Sequence, residues 1–270
     1  MKSTTIAGMT VPIEALPLLE PERRTLRERL RRGDIESIRI AMVDAYKRLD
    51  QKINDAIESS GLVPACHQGC GWCCHGVKVN VSAPEAILIA ERLRTGNDEL
   101  LTAVNAAAER RRNMNTDEYF ISGEGCPFLS ASNECRIYDV RPVACRRHSC
   151  LDSGECERAI KNPRLKLPVS QHAPANAAGV TAALALIAAI EDARLDARTF
   201  ELATVVSLAL HDDVERRWCA GERVFDGAVR PVDAEDQAIA KADLSKYSVN
   251  PESSARVLWK SHSKKSRRRA

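Results

Sequence analysis

The sequence predicts a mainly α-helical domain that contains a loop-rich, cysteine-ligated metal-binding segment. Apolar residues make up 44% of the 270 residues and aromatic residues only 4%, so the core must be largely Ala, Leu, Ile and Val, which suits packed helices better than a β-sandwich. Several stretches repeat these residues at steps of three and four, the period of a helix with one apolar face. The chain also has ten cysteines, and eight of them fall into two groups.

The first third of the chain predicts a loose start followed by helices. Residues 1–20 show no period and are expected to be a loose N-terminus, before a helical domain over residues 21–227. A charged helix with Pro21 in its first turn is expected to stop at Gly33. Asp34 is expected to cap the next helix, which ends at Ser60-Gly61. Its apolar stripe consists of Ile38, Met42, Tyr46, Leu49, Ile53 and Ile57.

The middle of the chain predicts a strand, two helices and a long irregular segment. Residues 77–81 alternate Val with polar residues and predict one short strand. A capping box opens a helix over residues 82–94, and Asp98 opens another that ends near residue 112. Residues 113–172 have no sustained period, and so long a loop-rich segment needs a staple in a compact domain. Five cysteines lie in it, which makes metal ligation the expected staple.

The helical pattern returns over residues 174–221. Residues 177–193 are nearly all Ala, Leu, Ile and Val, and residues 199–220 have an apolar face. We expect the two to form an antiparallel helical pair that covers the metal-binding segment or packs beside it. The apolar run over residues 177–190 is shorter than the roughly 20 residues of a membrane span, so we expect a buried helix and no membrane contact.

Residues 228–270 are expected to be a largely disordered basic tail. The last ten residues have five Lys and Arg side chains and no acidic one. Such a cluster attracts phosphates through a term that does not depend on sequence. The chain has no helix-turn-helix signature, so we expect no nucleic-acid binding beyond weak, non-specific contact by this tail.

The cysteine content indicates metal binding once the compartment is considered. The N-terminus has no continuous apolar stretch of the kind found in secretory signals, so a cytoplasmic location is expected. Thiols are kept reduced there, and many cysteines then indicate metal or redox chemistry and not a disulfide framework. The sequence has no serine nucleophile elbow, HExxH motif or phosphate-binding glycine loop, so catalytic residues stay unknown and enzyme activity stays open.

Eight cysteines are the predicted metal ligands. The first group lies in the run A-C-H-Q-G-C-G-W-C-C-H and consists of Cys66, Cys70, Cys73 and Cys74. The second group consists of Cys126, Cys135, Cys145 and Cys150. Cys70 and Cys73 have the spacing that lets two thiolates bind one ion from a tight turn. The alternative is a buried stripe of thiols on a helix, which Gly69 and Gly71 oppose.

The order of these motifs resembles a known family. C-x3-C-x2-C-C is followed by C-P-F-L at residues 126–129 and by C-R-I-Y-D-V-R-P-x-x-C-R at residues 135–146. This pattern, over residues 63–149, resembles the YkgJ-type cysteine-cluster proteins, described as having a zinc- or iron-chelating domain. The resemblance implies that the ligands are among Cys66, Cys70, Cys73, Cys74, Cys126, Cys135 and Cys145. Cys150 and Cys156 lie just outside it. The cysteine segment is also similar, more weakly, to flagellin lysine-N-methylases, but the chain has no G-x-G-x-x-G motif after a strand.

The metal and its role follow from the number of thiols. Seven or eight cysteines exceed the four that one structural zinc needs, so we expect an iron–sulfur cluster, with zinc or mononuclear iron as the alternatives. The expected function is a metal-binding protein with a redox or cluster-dependent enzymatic role, served by an unknown protein partner or electron donor. The alternatives are a structural zinc module that mediates protein interaction and a metal storage or delivery protein.

Other side chains near the cysteines have two interpretations each. His67, His75 and His148 either replace a thiolate or lie beside the ligands. Arg141 either offsets the charge of the thiolates or pairs with a carboxylate such as Asp139 or Glu134. Cys219 lies in the predicted helical pair and is expected to be a packed thiol.

Overall fold

Ten α-helices and four short strands form the part of the chain that the structure describes, residues 3–6, 9–96 and 98–228. The structure is a computed structural model. The helices are α1 (Leu16–Leu30), α2 (Ile35–Ser60), α3 (Ala83–Arg94), α4 (Asp98–Arg111), α5 (Thr116–Ser122), α6 (Val143–Arg146), α7 (Ser153–Lys161), α8 (Ala173–Asp192), α9 (Leu202–Ala209) and α10 (Val214–Cys219). The strands are β1 (Ser3–Ile6), β2 (Met9–Pro12), β3 (Asn80–Ser82) and β4 (Thr199–Glu201). The predicted mainly α fold is confirmed.

The helices that the sequence delimits by their caps are confirmed. The Asp34 carboxylate accepts the Ser37 N–H at 2.7 Å at the start of α2, and Gly61 ends that helix with a φ of +65°, where an L side chain is strained. The capping box of Ser82 and Glu85 is formed at the start of α3. Five residues of the predicted stripe on α2 are buried, and they are Ile38, Met42, Tyr46, Leu49 and Ile53.

The N-terminus differs from the prediction. The expected loose segment, residues 1–20, contains the antiparallel hairpin β1–β2, in which Ile6 and Val11 are buried against α8, and the start of α1. Four-residue strands are too short to produce a recognisable period. Helix α1 starts at Leu16 and not at Pro21, which lies inside the helix. Proline has no N–H to donate to the carbonyl four residues earlier, and the lost hydrogen bond costs roughly 3 kcal/mol. Burial of apolar side chains on this helix offsets that cost.

The predicted antiparallel helical pair is wrong. Helix α8 packs mainly on α1 and α2, whereas α9 packs mainly on α4 and α3. The expected second helix is divided into β4, α9 and α10, with Asp213 at a φ of +65° between the two helices. The apolar residues of this region therefore serve two different interfaces, which a single helical period does not reveal.

The strand and the long irregular segment also need correction. The expected strand over residues 77–81 is confined to β3, which pairs antiparallel with β4 in the register Asn80↔Glu201. Residues 113–172 contain α5, α6 and α7, which have only four to nine residues each. Helices this short show too few turns for a period to emerge. Residues 229–270 of the predicted tail lie outside the described residues.

Helix α8 is the one element of the described ranges that is long and apolar enough for a membrane span. Its most apolar 18-residue window is 56% buried inside the fold, which fits the buried helix that the sequence predicts. Gly179 lies where α8 meets α6, and a Cβ at this position would lie 2.0 Å from the Cβ of Arg147. Only glycine allows the two helices to approach so closely.

Glu85 connects α3 to α6 through its buried carboxylate. One oxygen accepts the Ser82 N–H and hydroxyl, both at 2.8 Å, and the other accepts the Val143 N–H at 2.8 Å and the Tyr46 hydroxyl at 3.5 Å. Because Val143 begins the short helix that contains Cys145, the carboxylate sets the position of that cysteine relative to α3.

We expect the Glu85→Gln variant to lose about 2 kcal/mol of unfolding free energy, because the amide NH2 must face a buried N–H donor. Burial raises the pKa of Glu85 above its ordinary value of 4.5. A group whose pKa is raised on folding contributes stability that is present below the unfolded pKa and is lost as the pH rises through the folded pKa. The difference between wild type and Glu85→Gln should therefore be largest below about pH 4.5 and shrink as the pH rises above this value.

Urea unfolding at several pH values measures both effects. Glu91→Gln is the matched control, because Glu91 lies on the same helix with a 42% exposed side chain. We expect the control to change the free energy of unfolding by less than about 0.5 kcal/mol. An equal loss in the two variants, or a difference that grows with pH, would contradict the role given to Glu85.

Candidate metal centre

Backbone hydrogen bonds bring the two cysteine groups of the sequence side by side. The Cys126 N–H donates to the Cys74 carbonyl at 2.7 Å, and His75 and Gly125 form an antiparallel bridge. On the other side, the Ala65 N–H donates to the Cys150 carbonyl at 2.8 Å. The loop with Cys66, Cys70, Cys73 and Cys74 is thus held between the two ends of the second group, and all ten cysteines are free thiols.

Four thiols from three chain segments form what we call the inner thiol group, and they are Cys73, Cys126, Cys135 and Cys145. Burial raises the pKa of Cys145 well above its ordinary value, and the three other thiols of the group raise it further by charge repulsion. Burial likewise raises the pKa of Cys126, to about 12. Such thiols keep their protons at neutral pH unless a cation replaces them.

The backbone N–H two residues later stabilises the thiolate at three of the cysteines. Cys70, Cys126 and Cys135 each accept a hydrogen bond from the backbone N–H two residues later, and each bond lowers the pKa of the thiol against the larger effect of burial. The same local turn therefore recurs at three separate positions. A donor fixed on the sulfur favours its anionic form, which is the form that binds metals.

A tight loop places Cys126 and Cys135 next to each other. The Arg136 N–H donates to the Phe128 carbonyl at 2.8 Å, and the Ser130 N–H donates to the Glu134 carbonyl at 2.9 Å. Phe128 is 1% exposed and anchors the start of the loop in the core. The C-P-F-L motif thus contributes one thiol and one hydrophobic anchor.

Four further thiols form what we call the outer thiol group, which consists of Cys66, Cys70, Cys150 and Cys156. It adjoins the inner group, because Cys66 acts electrostatically on Cys73 and Cys73 acts on Cys70. The sulfurs of Cys66 and Cys150 lie 3.5 Å apart, and the Cys150 N–H donates to the Cys66 sulfur at 3.2 Å. A hydrogen bond with the thiol of Cys156 raises the pKa of Cys150 to about 12. Cys66 is exposed, whereas Cys150 and Cys156 are buried.

Arg141 offers an unused hydrogen-bond donor beside the inner thiol group. Its Nε is buried and has no hydrogen-bond partner, and its charge lowers the pKa of Cys135 and Cys145. The guanidinium lies 4.0 Å above the ring of Tyr138. The carboxylates considered from the sequence have other partners, since Asp139 pairs with Arg92 and Glu134 with Gln68. The contacts of Arg141 thus favour charge compensation of the thiolates.

Arg146 fixes the backbone that precedes Cys145. Its side chain is 5% exposed, lies 4.1 Å above the Tyr46 ring and donates to the carbonyls of Arg141 at 2.8 Å and Asp139 at 2.6 Å. A third bond reaches the Asp50 carboxylate at 2.6 Å. One cation therefore ties α2 to both ends of the turn that leads into α6.

Arg111 fixes the backbone that precedes Cys126, and the sequence does not reveal this role. It is 1% exposed, donates to the Gly125 carbonyl at 2.6 Å and lies 4.7 Å above the Tyr119 ring. In the sequence it is one of three consecutive arginines at the end of α4, which looks like a solvated helix terminus. Only its contacts with the Tyr119 ring and the Gly125 carbonyl distinguish it from its neighbours.

The three histidines differ in their suitability as ligands. His67 is exposed, and its Nδ1 lies 3.1 Å from the Ala65 carbonyl. The ring of His75 lies beside Gly125. Burial and the nearby Arg147 lower the pKa of His148 to about 4, so this ring is neutral at pH 7.

The arrangement of the thiols differs from that of a single-ion metal site. Across the described ranges, no three or more Cys, His, Asp or Glu side chains are arranged to hold a single metal ion as they stand. The donor set itself fits a thiophilic metal, with buried sulfurs, N–H donors on them and one orphaned cationic donor at Arg141. Cys74 hydrogen-bonds Cys73, and Cys219 lies in α10, where burial raises its pKa to about 11.

Comparison with known proteins agrees with this chemistry. Residues 65–164 match a family model, CxxCxxCC, described as "Putative zinc- or iron-chelating domain". The match spans a little over a third of the chain and includes every cysteine of both thiol groups. No curated protein and no solved structure matches the chain, so the likeness to flagellin lysine-N-methylases has no support beyond the cysteine pattern. Residues 65–164 are therefore similar to the cysteine-cluster domains that this family model describes.

Proposed function

We propose that the chain is an iron–sulfur protein whose cluster is ligated by the inner thiol group. The observation that carries this proposal is the convergence of Cys73, Cys126, Cys135 and Cys145 beside the unpartnered Nε–H of Arg141. A cluster of the [4Fe–4S] type takes four cysteine thiolates, one for each iron. The other predicted ligands, Cys66, Cys70, Cys74 and Cys150, then surround this centre.

A cluster and a single ion require different separations of their ligand sulfurs. One zinc ion requires its four sulfurs to lie within about 3.8 Å of each other, as follows from Zn–S bonds of about 2.3 Å in a tetrahedron. The inner thiols influence one another electrostatically, but no three of them in the described ranges already meet the requirement of a shared ion. Ligands that each bind a different iron stay further apart.

Arg141 supplies what a cluster would need from its surroundings. Four thiolates and a metal–sulfide core have a net negative charge, and a half-buried guanidinium offsets it. A sulfur that accepts the free Nε–H would also satisfy a buried donor that otherwise costs about 1–3 kcal/mol. Hydrogen bonds and charges around the sulfurs set the reduction potential of such centres.

The chain's own residues would hold and shield this centre. When bound, the cluster supplies one-electron transfer. Phe128 and Val143 belong to the buried core against which Cys126 and Cys135 pack. The N–H donors on these two sulfurs favour the thiolate that metal binding requires, against burial, which raises the pKa of both thiols. Cys73 and Cys135 are only half-buried, which leaves the centre near the surface. A protein electron donor or acceptor is therefore the partner that we propose.

The first test is the iron, zinc and acid-labile sulfide content of the full chain purified without oxygen, with a visible spectrum. We expect about four iron and four sulfide per chain and broad thiolate-to-iron absorption that bleaches on reduction. Zinc in the inner thiol group without sulfide would contradict the proposal and favour a structural zinc module. Since removing a structural zinc unfolds its surroundings, circular dichroism after chelation would identify that alternative.

A further inference from the structure

We propose that a cavity beside Cys135 binds the carboxylate of a small aliphatic acid. The cavity has a volume of about 160 Å³ and opens to solvent between the end of α3, the start of α4 and the turn after Cys135. Pockets for drug-sized ligands measure about 300–1,000 Å³, so this cavity fits only a smaller molecule. Its lining residues are Arg92, Leu93, Gly96, Leu100, Arg136 and Ile137.

Two arginines from separate parts of the chain give the cavity its positive charge. The Nη1 atom of Arg92 lies 4.0 Å from the place that a Cβ on Gly96 would take, so this guanidinium lies against the Gly96 wall. Arg136 reaches the start of α4, where its Nη2 is 3.7 Å from the carboxylate of Glu99, the neighbour of Leu100 in the lining. A guanidinium presents paired N–H donors that match the two oxygens of a carboxylate.

The acidic partners of both arginines are exposed, so a ligand is able to replace them. The Nε of Arg92 lies 3.3 Å from the Asp139 carboxylate, and both side chains are exposed. Glu99, the partner of Arg136, has a 77% exposed side chain. Solvent screens ion pairs of this kind, and they contribute little. A carboxylate inside the cavity, against apolar walls, is screened less and pairs more strongly with the same guanidinium groups.

The floor of the cavity decides the class of ligand. Leu93, Leu100 and Ile137 are buried core residues, so the surface below the two arginines is hydrocarbon. Inorganic phosphate matches the guanidinium groups but has no apolar part to cover this floor. A short aliphatic chain removes the floor from water, which favours binding in proportion to the apolar area buried.

Ile137 connects the cavity to the inner thiol group. Its side chain lines the cavity, while its N–H donates to the sulfur of Cys135. The neighbouring Arg136 N–H donates to the Phe128 carbonyl at 2.8 Å, which holds the backbone between the cavity and the sulfur in place. A bound acid would therefore lie beside the inner thiol group. The inference does not depend on which metal that group holds.

Calorimetric titration of the full chain with sodium butyrate tests the site. We expect saturable binding of butyrate and none of butyramide, which has nearly the same shape without the charge. Arg92→Ala and Arg136→Ala should each weaken butyrate binding at least about tenfold, because charge-assisted hydrogen bonds are lost. Glu99→Gln should strengthen it by up to about fivefold, because a competing carboxylate is removed. A purely structural role of the arginines would not give this gain.

Arg112→Ala is the matched control, because Arg112 lies at the opposite end of α4, where it pairs with Glu109 at 3.2 Å. It should bind butyrate as wild type does. No saturable binding by wild type, or equal binding by wild type, Arg92→Ala and Arg136→Ala, would overturn the site. Phosphate that binds more tightly than butyrate would overturn the choice of an aliphatic acid. Because butyrate binding and metal content are measured separately, failure here leaves the iron–sulfur proposal to its own test.

Discussion

We expect the Cys145→Ser variant to be purified without iron or sulfide in the inner thiol group. Cys145 is influenced by the three other inner thiols and by Arg141, which places it at the centre of the group. A serine hydroxyl has nearly the same size but is not ionised at neutral pH, and it is a harder ligand than a thiolate. Loss of one of four ligands should therefore abolish stable metal binding, and Cys73→Ser should have the same effect.

Cys219→Ser is the matched control for these two variants. Cys219 is also a half-buried thiol with a raised pKa, but it lies at the end of α10 and is influenced by Asp34 and Glu215 instead of by other cysteines. We expect its iron and sulfide content to equal that of wild type. Iron analysis and the visible spectrum are the measurements. Equal metal content in Cys73→Ser, Cys145→Ser and Cys219→Ser would refute the assignment of the inner group.

The helices and the general location of the site could be predicted because their signals are local. Asp34, Gly61 and the capping box of Ser82 and Glu85 act within one helical turn, so their meaning does not depend on the rest of the fold. The two cysteine runs are equally local, since Cys70-x-x-Cys73 defines a turn by spacing alone.

The grouping of the thiols could not be predicted, because it depends on contacts between distant segments. Cys66 and Cys73 are seven residues apart in one motif and act on each other electrostatically, but Cys66 contacts Cys150 whereas Cys73 also acts on Cys145. Cys156 lies outside the cysteine motif, on a helix of nine residues, so the sequence did not indicate that it belongs with the other thiols. The same limit explains the failed helical pair, where α8 and α9 have matching apolar faces that pack on different helices.

Two buried arginines fix the backbone near Cys126 and Cys145, and the sequence does not reveal this role. Arg111 donates to the carbonyl that precedes Cys126, and Arg146 donates to carbonyls ahead of Cys145. Each also lies above a tyrosine ring. The turns that contain Cys126 and Cys145 are thus fixed in the same way, by a guanidinium that binds the backbone of the turn while its plane packs on an aromatic side chain. Arg146 allows the sharper test.

Arg146→Ala should lower the free energy of unfolding by about 3 kcal/mol and accelerate the loss of metal to a chelator. Two carbonyls in the turn before α6 lose their donors, and each buried group left without a partner costs about 1–3 kcal/mol. The Asp50 carboxylate is 45% exposed, so solvent screens its pairing with Arg146 and this ion pair contributes little. Cys145 then stays chemically intact but is no longer held in place.

Arg146→Lys separates charge from geometry at this position. Lysine keeps the positive charge but has a single ammonium group, which cannot reach both carbonyls and stack on Tyr46 at once. We therefore expect Arg146→Lys to resemble Arg146→Ala in its rate of metal loss. A lysine variant that behaves as wild type would mean that only the charge matters there.

The control for both variants is Arg92→Ala. Arg92 pairs with Asp139 of the same turn at 3.3 Å, but the two side chains are 47% and 61% exposed. An exposed pair of this kind contributes at most about 1 kcal/mol, so unfolding and metal loss should be close to wild type. Chelator extraction followed by absorbance, together with urea unfolding, measures both quantities. Equal effects of Arg92→Ala and Arg146→Ala would show that Arg146 positions Cys145 no more than an exposed contact of the same turn does.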